Sequence, residues 1–247
     1  MKKSVVITDV TRMSNDRVCI AAVDSYGHSI RPEFPFGGIP ESWLYQNNIP
    51  IIRPFSKVNL VLIENRPDPP HTEDWIIDPN EVEYVGMIDI NDRLRFLKGI
   101  LDPSVQEIFV SSVLRDNGFF VQTGTGARSL GTVEVEVLRF QHACFEGKWD
   151  YRLSFSDKKG AVYKLGVTDL SFRYFINWLR ETNNMSCEDI STKISLQLRN
   201  HCVLRIGLAR HWSKFPDRCY LQVNSVFSFP DLLDGKCYAD FQPPMSR

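Results

Sequence analysis

Between Arg66 and Trp75 the chain reads Arg-Pro-Asp-Pro-Pro-His-Thr-Glu-Asp-Trp, its most unusual stretch. The prolines hold an extended backbone, and His71, Glu73 and Asp74 are presented together. Imidazole with carboxylate equips either a metal site or a general base. One reading is therefore a small metal-dependent hydrolase or nuclease centred on His71, Glu73 and Asp74. A hydrolytic metal site needs about three protein ligands, however, and no His-x-x-x-His pair is available. In the plainer reading Thr72 caps a short turn, the acids are solvated and Trp75 packs. The loop from Gly124 to Gly131 resembles a phosphate loop only superficially. It leads into a strand, no Gly-Lys-Ser/Thr follows, and it reads as a flexible inter-domain hinge. There is no Gly-x-Ser-x-Gly elbow, and no nucleophile stands out. No catalytic residue, metal ligand or cofactor is assigned.

Charge is uneven along the chain. Positions 64–92 hold nine acids against one base, Arg66, and positions 199–218 hold five bases against one acid, Asp217. A basic run with aromatic neighbours can contact phosphate. It can equally be a solvated face or one that neutralises another part of the fold. The acidic run suits a protein–protein adaptor docking a basic partner.

The elements that must position these residues follow from periodicity. In the second half, strands are expected at 132–142, 148–156, 161–165, 202–210 and 219–227, with a helix at 169–180 capped by Thr168 or Asp169. The first of these strands changes phase between Val137 and Leu138, the mark of a bulge. Segment 191–198 is ambiguous. Three strands, a helix and two strands make the chain order of an OB-fold, a five-stranded barrel that binds oligonucleotides or oligosaccharides. In its last two strands Leu204, Ile206, Leu208, Leu221 and Val223 face the core. Arg205, Gly207, Tyr220, Gln222 and Asn224 then face outward, with Arg210 and Trp212 beside them. Such a set suits a base-stacking, hydrogen-bonding ligand, or an ordinary solvent face.

The first half is less regular. Strands are expected at 4–10, 17–24, 57–64 and 84–88, and a proline-broken connection at 31–54. Helices are expected at 91–99 and 103–114, the second with Asp102 as N-cap and Pro103 at its first position. The boundary between halves is expected near Asp116-Asn117-Gly118, dividing the chain into 1–116 and 117–247. Of 247 residues, 43% are apolar and 24% charged, with net charge −1. This is a globular composition, and a uniformly basic coat protein is excluded. The longest aliphatic run, Leu60 to Ile63, is far short of a membrane span. Lys2-Lys3 before Val5-Val6-Ile7 is cut off by Thr8-Asp9 too soon for a signal peptide. The six cysteines form no Cys-x-x-Cys pair, so reduced structural thiols in a cytoplasmic protein are expected.

The stretches Pro69-Pro-His-Thr-Glu-Asp-Trp75, Leu204-Arg-Ile-Gly-Leu-Ala-Arg210 and Cys219-Tyr-Leu-Gln-Val-Asn-Ser-Val-Phe-Ser-Phe-Pro-Asp231 resemble the uncharacterised prokaryotic family of dual OB domain-containing proteins. Arg17-Val-Cys-Ile-Ala-Ala and Ile30-Arg-Pro belong to the same resemblance. It implies two consecutive OB-like barrels, mainly β with some α. It further implies contact with nucleic acid or a nucleotide, and service in a multi-gene defence or stress system with partners from the same operon. It supplies no catalytic residues. The expectation is a non-catalytic module that binds single-stranded nucleic acid or a nucleotide-like ligand through the second barrel's outer face, at Arg205, Arg210, Trp212, Tyr220, Gln222 and Asn224. Arg31, Arg53 and Arg66 are secondary candidates from the first half.

Overall fold

The computed structural model describes residues 1–242. Five strands, β1 (Lys2–Arg12), β2 (Arg17–Asp24), β3 (Ser29–Glu33), β4 (Ser56–Asn65) and β5 (Asp74–Met87), close into a first barrel. β1 pairs with both β2 and β4, and β3 runs parallel to β5. After the short β6 (Phe119–Gln122), β7 (Leu130–Phe145), β8 (Lys148–Asp157), β9 (Val162–Val167), β10 (His201–Leu208) and β11 (Arg218–Phe229) close a second barrel. Here β7 pairs with both β8 and β10, and β9 runs parallel to β11. Both barrels therefore carry the first-second-third-fifth-fourth strand order of an OB-fold, including its one parallel pair.

The phase change in β7 is a bulge between Val137 and Arg139. Leu138 is extruded to solvent, and the bulge returns Phe140 to the core that holds Val133, Val135 and Val137. Helix α3 (Leu170–Glu181) starts where Asp169 accepts a hydrogen bond from Phe172 N at 3.1 Å. The ambiguous segment is the second half of α4 (Cys187–Leu198). Ser186 caps this helix, and it buries Ile190, Ile194 and Leu198 at four-residue spacing. Full burial of each is worth about 1.5–3 kcal/mol.

The first half differs more from its sequence reading. β3 is a strand despite Pro32, because only Ser29 and Ile30 ladder with β2 before the strand turns to β5. The connection from β3 to β4 holds a single turn of 3-10 helix at Glu41–Leu44 and buries Leu44, Ile51 and Ile52. The expected helix at 91–99 is α1 (Arg93–Lys98) with a 3-10 turn before it. The helix expected at 103–114 is only α2 (Val105–Ile108). Val110 in a left-handed conformation ends the turn, and Leu114–Arg115 pairs with the start of β6. Asp102 is not its cap. Its carboxylate accepts from Thr132 N at 2.9 Å and pairs with Arg128, while Asp157 accepts from Val105 N. The expected domain boundary falls in the turn of that 114–120 hairpin.

Each barrel has its own core, and a third cluster of Phe55, Ile88, Leu97, Val203 and Phe227 joins them. The first barrel's core also contains Leu170, Cys237 and Tyr238 from far along the chain. Among the described residues no helix is long and apolar enough to cross a membrane.

Candidate ligand cleft between the barrels

The outward faces of β10 and β11 are not solvent faces. They pack on β1 of the first barrel, so most of β10 and β11 is buried on both sides. Arg205 is 2% exposed. Its Nε donates to Asp9 Oδ1 of β1 at 3.0 Å and its Nη1 to Thr132 Oγ1 at 2.8 Å. Ser225 Oγ donates to Thr8 O at 3.1 Å, and Arg12 N to Thr168 O at 2.8 Å. Asn224 is the extra residue of a β11 bulge and lies across Gly207, where any Cβ would collide with its side-chain amide. Arg205 and Asn224 are thus removed from the expected ligand face. A period of two shows which side chains share a face, and it cannot show that a second barrel covers that face.

A second seam is made by the 66–74 loop. Glu73 accepts from Ser129 N at 2.6 Å, Ser129 Oγ at 3.1 Å and Leu130 N at 3.1 Å. Thr72 Oγ1 donates to Ala127 O, and Gly124 N to Pro69 O at 2.9 Å. The glycine loop is accordingly a pinned receptor for this clasp and no hinge. Gly126, at φ +87°, approaches Phe109 O so closely that a Cβ would lie 2.8 Å from it.

The three residues of the hydrolase reading do not converge. Glu73 points to the 129–130 backbone, and Asp74 lies between Arg31 and Arg210. His71 is buried with neither ring nitrogen hydrogen-bonded, and burial, then Arg31 and Arg210 nearby, push its pKa down to about 2. Burial and the two arginines thus favour the neutral imidazole. Among the described residues no three His, Cys, Asp or Glu side chains are grouped to hold a metal ion.

What the fold does assemble is a cleft of about 440 Å³ between the barrels. Its floor is the β2–β3 side of the first barrel, with Val18, Cys19, Arg31 and Glu33, and Phe34 just beyond β3. Arg12 and Met13 flank it from the β1–β2 turn, and Gly37-Gly38 from the 34–55 connection. Ala209, Arg210 and Gln222 of the second barrel roof it. The register Arg31↔Asp74 of the parallel pair sets up its central ion pair, Arg31 Nε to Asp74 Oδ1 at 2.6 Å. Asp74 Oδ2 takes Arg210, which also reaches Glu33 at 2.7 Å and Asp68 at 3.5 Å. Arg31 is 5% exposed and its Nη2 has no acceptor. Cys19 adds a thiol whose pKa burial pushes up.

Of the expected site residues, Arg31, Arg210 and Gln222 meet in this cleft. Trp212 and Tyr220 lie beyond it on the β10–β11 loop and the strand after it. Trp212 is exposed and forms an edge contact with Phe215, and Lys214 sits 5.8 Å from the Trp212 ring centroid. Tyr220 is half-buried between Phe120 and Phe215, with Arg218 Nη1 3.4 Å from its hydroxyl. Arg66 is exposed and paired with Glu64, and Arg53 lines a separate pocket. Arg12, Glu33 and Phe34 were not legible as site residues, because the roof and floor lie some 180 positions apart in sequence.

Two closed OB barrels, with a cleft on the strand face such barrels use for ligands, define an OB-type binding module. Residues 3–226 match the model of the dual OB-containing domain family, and the chain belongs to that family. No curated protein matches the chain.

Proposed function

We propose that the protein is a non-catalytic module that binds single-stranded nucleic acid or a nucleotide-like ligand in the inter-barrel cleft. The observation that carries this reading is Arg31, a nearly buried guanidinium on the first barrel's β2–β3 face with one Nη group lacking an acceptor. A phosphate or a base edge supplies such an acceptor. Arg210 and Gln222 offer further donors from the roof, and Phe34 offers an apolar surface. The β10–β11 loop carries Arg210 to Trp212 and Lys214, so the ligand's path leads from the cleft to an exposed ring on which a base can stack.

The test is fluorescence anisotropy with labelled single-stranded and duplex oligonucleotides at low and physiological salt. The reading expects salt-sensitive binding that prefers single strands. Arg210→Ala and Trp212→Ala should each weaken it by about tenfold, the loss typical of one charged contact or one stacked base. No binding at low salt would overturn the reading and turn attention to a protein partner for the 64–92 segment.

A further inference from the structure

Away from the cleft, a small pocket of about 40 Å³ lies between the barrels beside Phe55 and Phe227. Three cationic side chains line it, Arg53, Arg93 and Lys236. Among the described residues Arg53 meets only sulfur acceptors. Its Nη1 points to Cys237 Sγ at 3.7 Å and its Nη2 to Met87 Sδ at 2.8 Å, while its Nε is buried without a partner. Thioether and thiol sulfur accept hydrogen bonds weakly. Burial pushes the Cys237 thiol up, so it is neutral at pH 7 and brings no counter-charge.

Arg93 reaches Asp231 Oδ2 at 3.3 Å and stacks its guanidinium 4.7 Å from the Phe55 ring centroid. Its Nε, too, is buried without an acceptor. Burial lowers the Arg93 pKa, and the neighbouring Arg53 charge adds to the fall. Asp231 offsets Arg93 alone, and among the described residues Arg53 has no carboxylate partner. Asp231 also accepts from Leu233 N and Gly235 N, and both oxygens of Asp169 take backbone N–H groups, of Phe172 and Val226. Lys236 is exposed at the rim. Two adjoining, partly desolvated guanidiniums that share one carboxylate are costly without a further anion.

We propose that this pocket binds one tetrahedral oxyanion, inorganic phosphate or a terminal phosphate monoester, through Arg53, Arg93 and Lys236. A water needs roughly 10–15 Å³ of such space. The pocket therefore takes one small oxyanion in place of a few waters and excludes a nucleoside. Arg supplies the forked donors that phosphate favours. The site is independent of the cleft, and either can exist without the other.

Isothermal titration of the full chain with inorganic phosphate, at ionic strength balanced with chloride, tests it. Saturable one-to-one binding is expected. Arg53→Gln should weaken it by at least about tenfold, the equivalent of one charge-assisted hydrogen bond. Lys236→Glu, at an exposed position that leaves the core intact, should abolish it, and decides the matter if Arg53→Gln does not fold. A matched pair of dinucleotides, one 5′-phosphorylated and one 5′-hydroxyl, separates the two sources. Competition by the phosphorylated one alone assigns a monoester end, and competition by neither assigns the free anion. Heats no different from chloride, or phosphate affinity unchanged in Lys236→Glu, would overturn the proposal.

Discussion

In the first barrel the connection between the third and fourth strands is the irregular, proline-broken segment 34–55. In the second it is two helices, α3 and α4, packed on the barrel core. The same strand order thus leaves the first barrel with an open β2–β3 face and a connection anchored through Ile39, Leu44, Ile51, Ile52 and Phe55. The second barrel gives up its β10–β11 outer face to the inter-barrel seam. One barrel keeps its ligand face by using the other as a roof. A ligand surface in a tandem of like barrels therefore has to be sought where the copies differ in covering, since their topology is shared.

The sharpest way to break this asymmetry is to remove Arg205. If the β10 face is a buried seam, Arg205→Ala strands Asp9 in the interior and costs about 3–5 kcal/mol, seen as a large fall in the chemical-denaturation midpoint. A solvent-facing Arg205 would cost less than about 1 kcal/mol. Next in size is the clasp. Glu73→Ala leaves Ser129 N and Leu130 N without their acceptor and should cost about 2–3 kcal/mol in the same assay. An unchanged midpoint would mean that the 66–74 loop holds nothing together.

The third test is a pH slope. Burial raises the Asp169 carboxyl from its ordinary 3.8 to about 7. Between about pH 4 and 7 the native state keeps a proton that the unfolded chain has lost. The contribution of this group is complete below about pH 4 and is lost as pH rises to about 7. The difference in unfolding free energy between wild type and Asp169→Asn should shift against the wild type across that window. A difference that is flat with pH would show that Asp169 is ionised throughout.

The sequence carried the second barrel well, because β7, β8 and α3 alternate or repeat against a single core. Even the β7 bulge was visible as the shift from Val137 to Phe140. β3 was hidden by Pro32, and the helix expected at 103–114 was read too long because Val110 breaks the run. For the site, Arg31, Arg210 and Gln222 were recognisable as polar residues on strands. Their meeting was not, since it depends on how one barrel sits on the other. Arg205 was misread for the same reason: a guanidinium opposite an apolar face looks identical whether water or Asp9 lies beyond it.

Tyr238 has no exposed surface, and its hydroxyl donates to Ile52 O at 3.0 Å inside the first barrel's core. All five strands of that barrel are in place by residue 87, so a ribosome must add roughly 150 further residues before this ring exists. At about 5–20 residues per second that is a wait on the order of 10–30 s. The second barrel's core waits for Phe241 from the same segment, so the two interiors are completed together although their strands are made far apart in time.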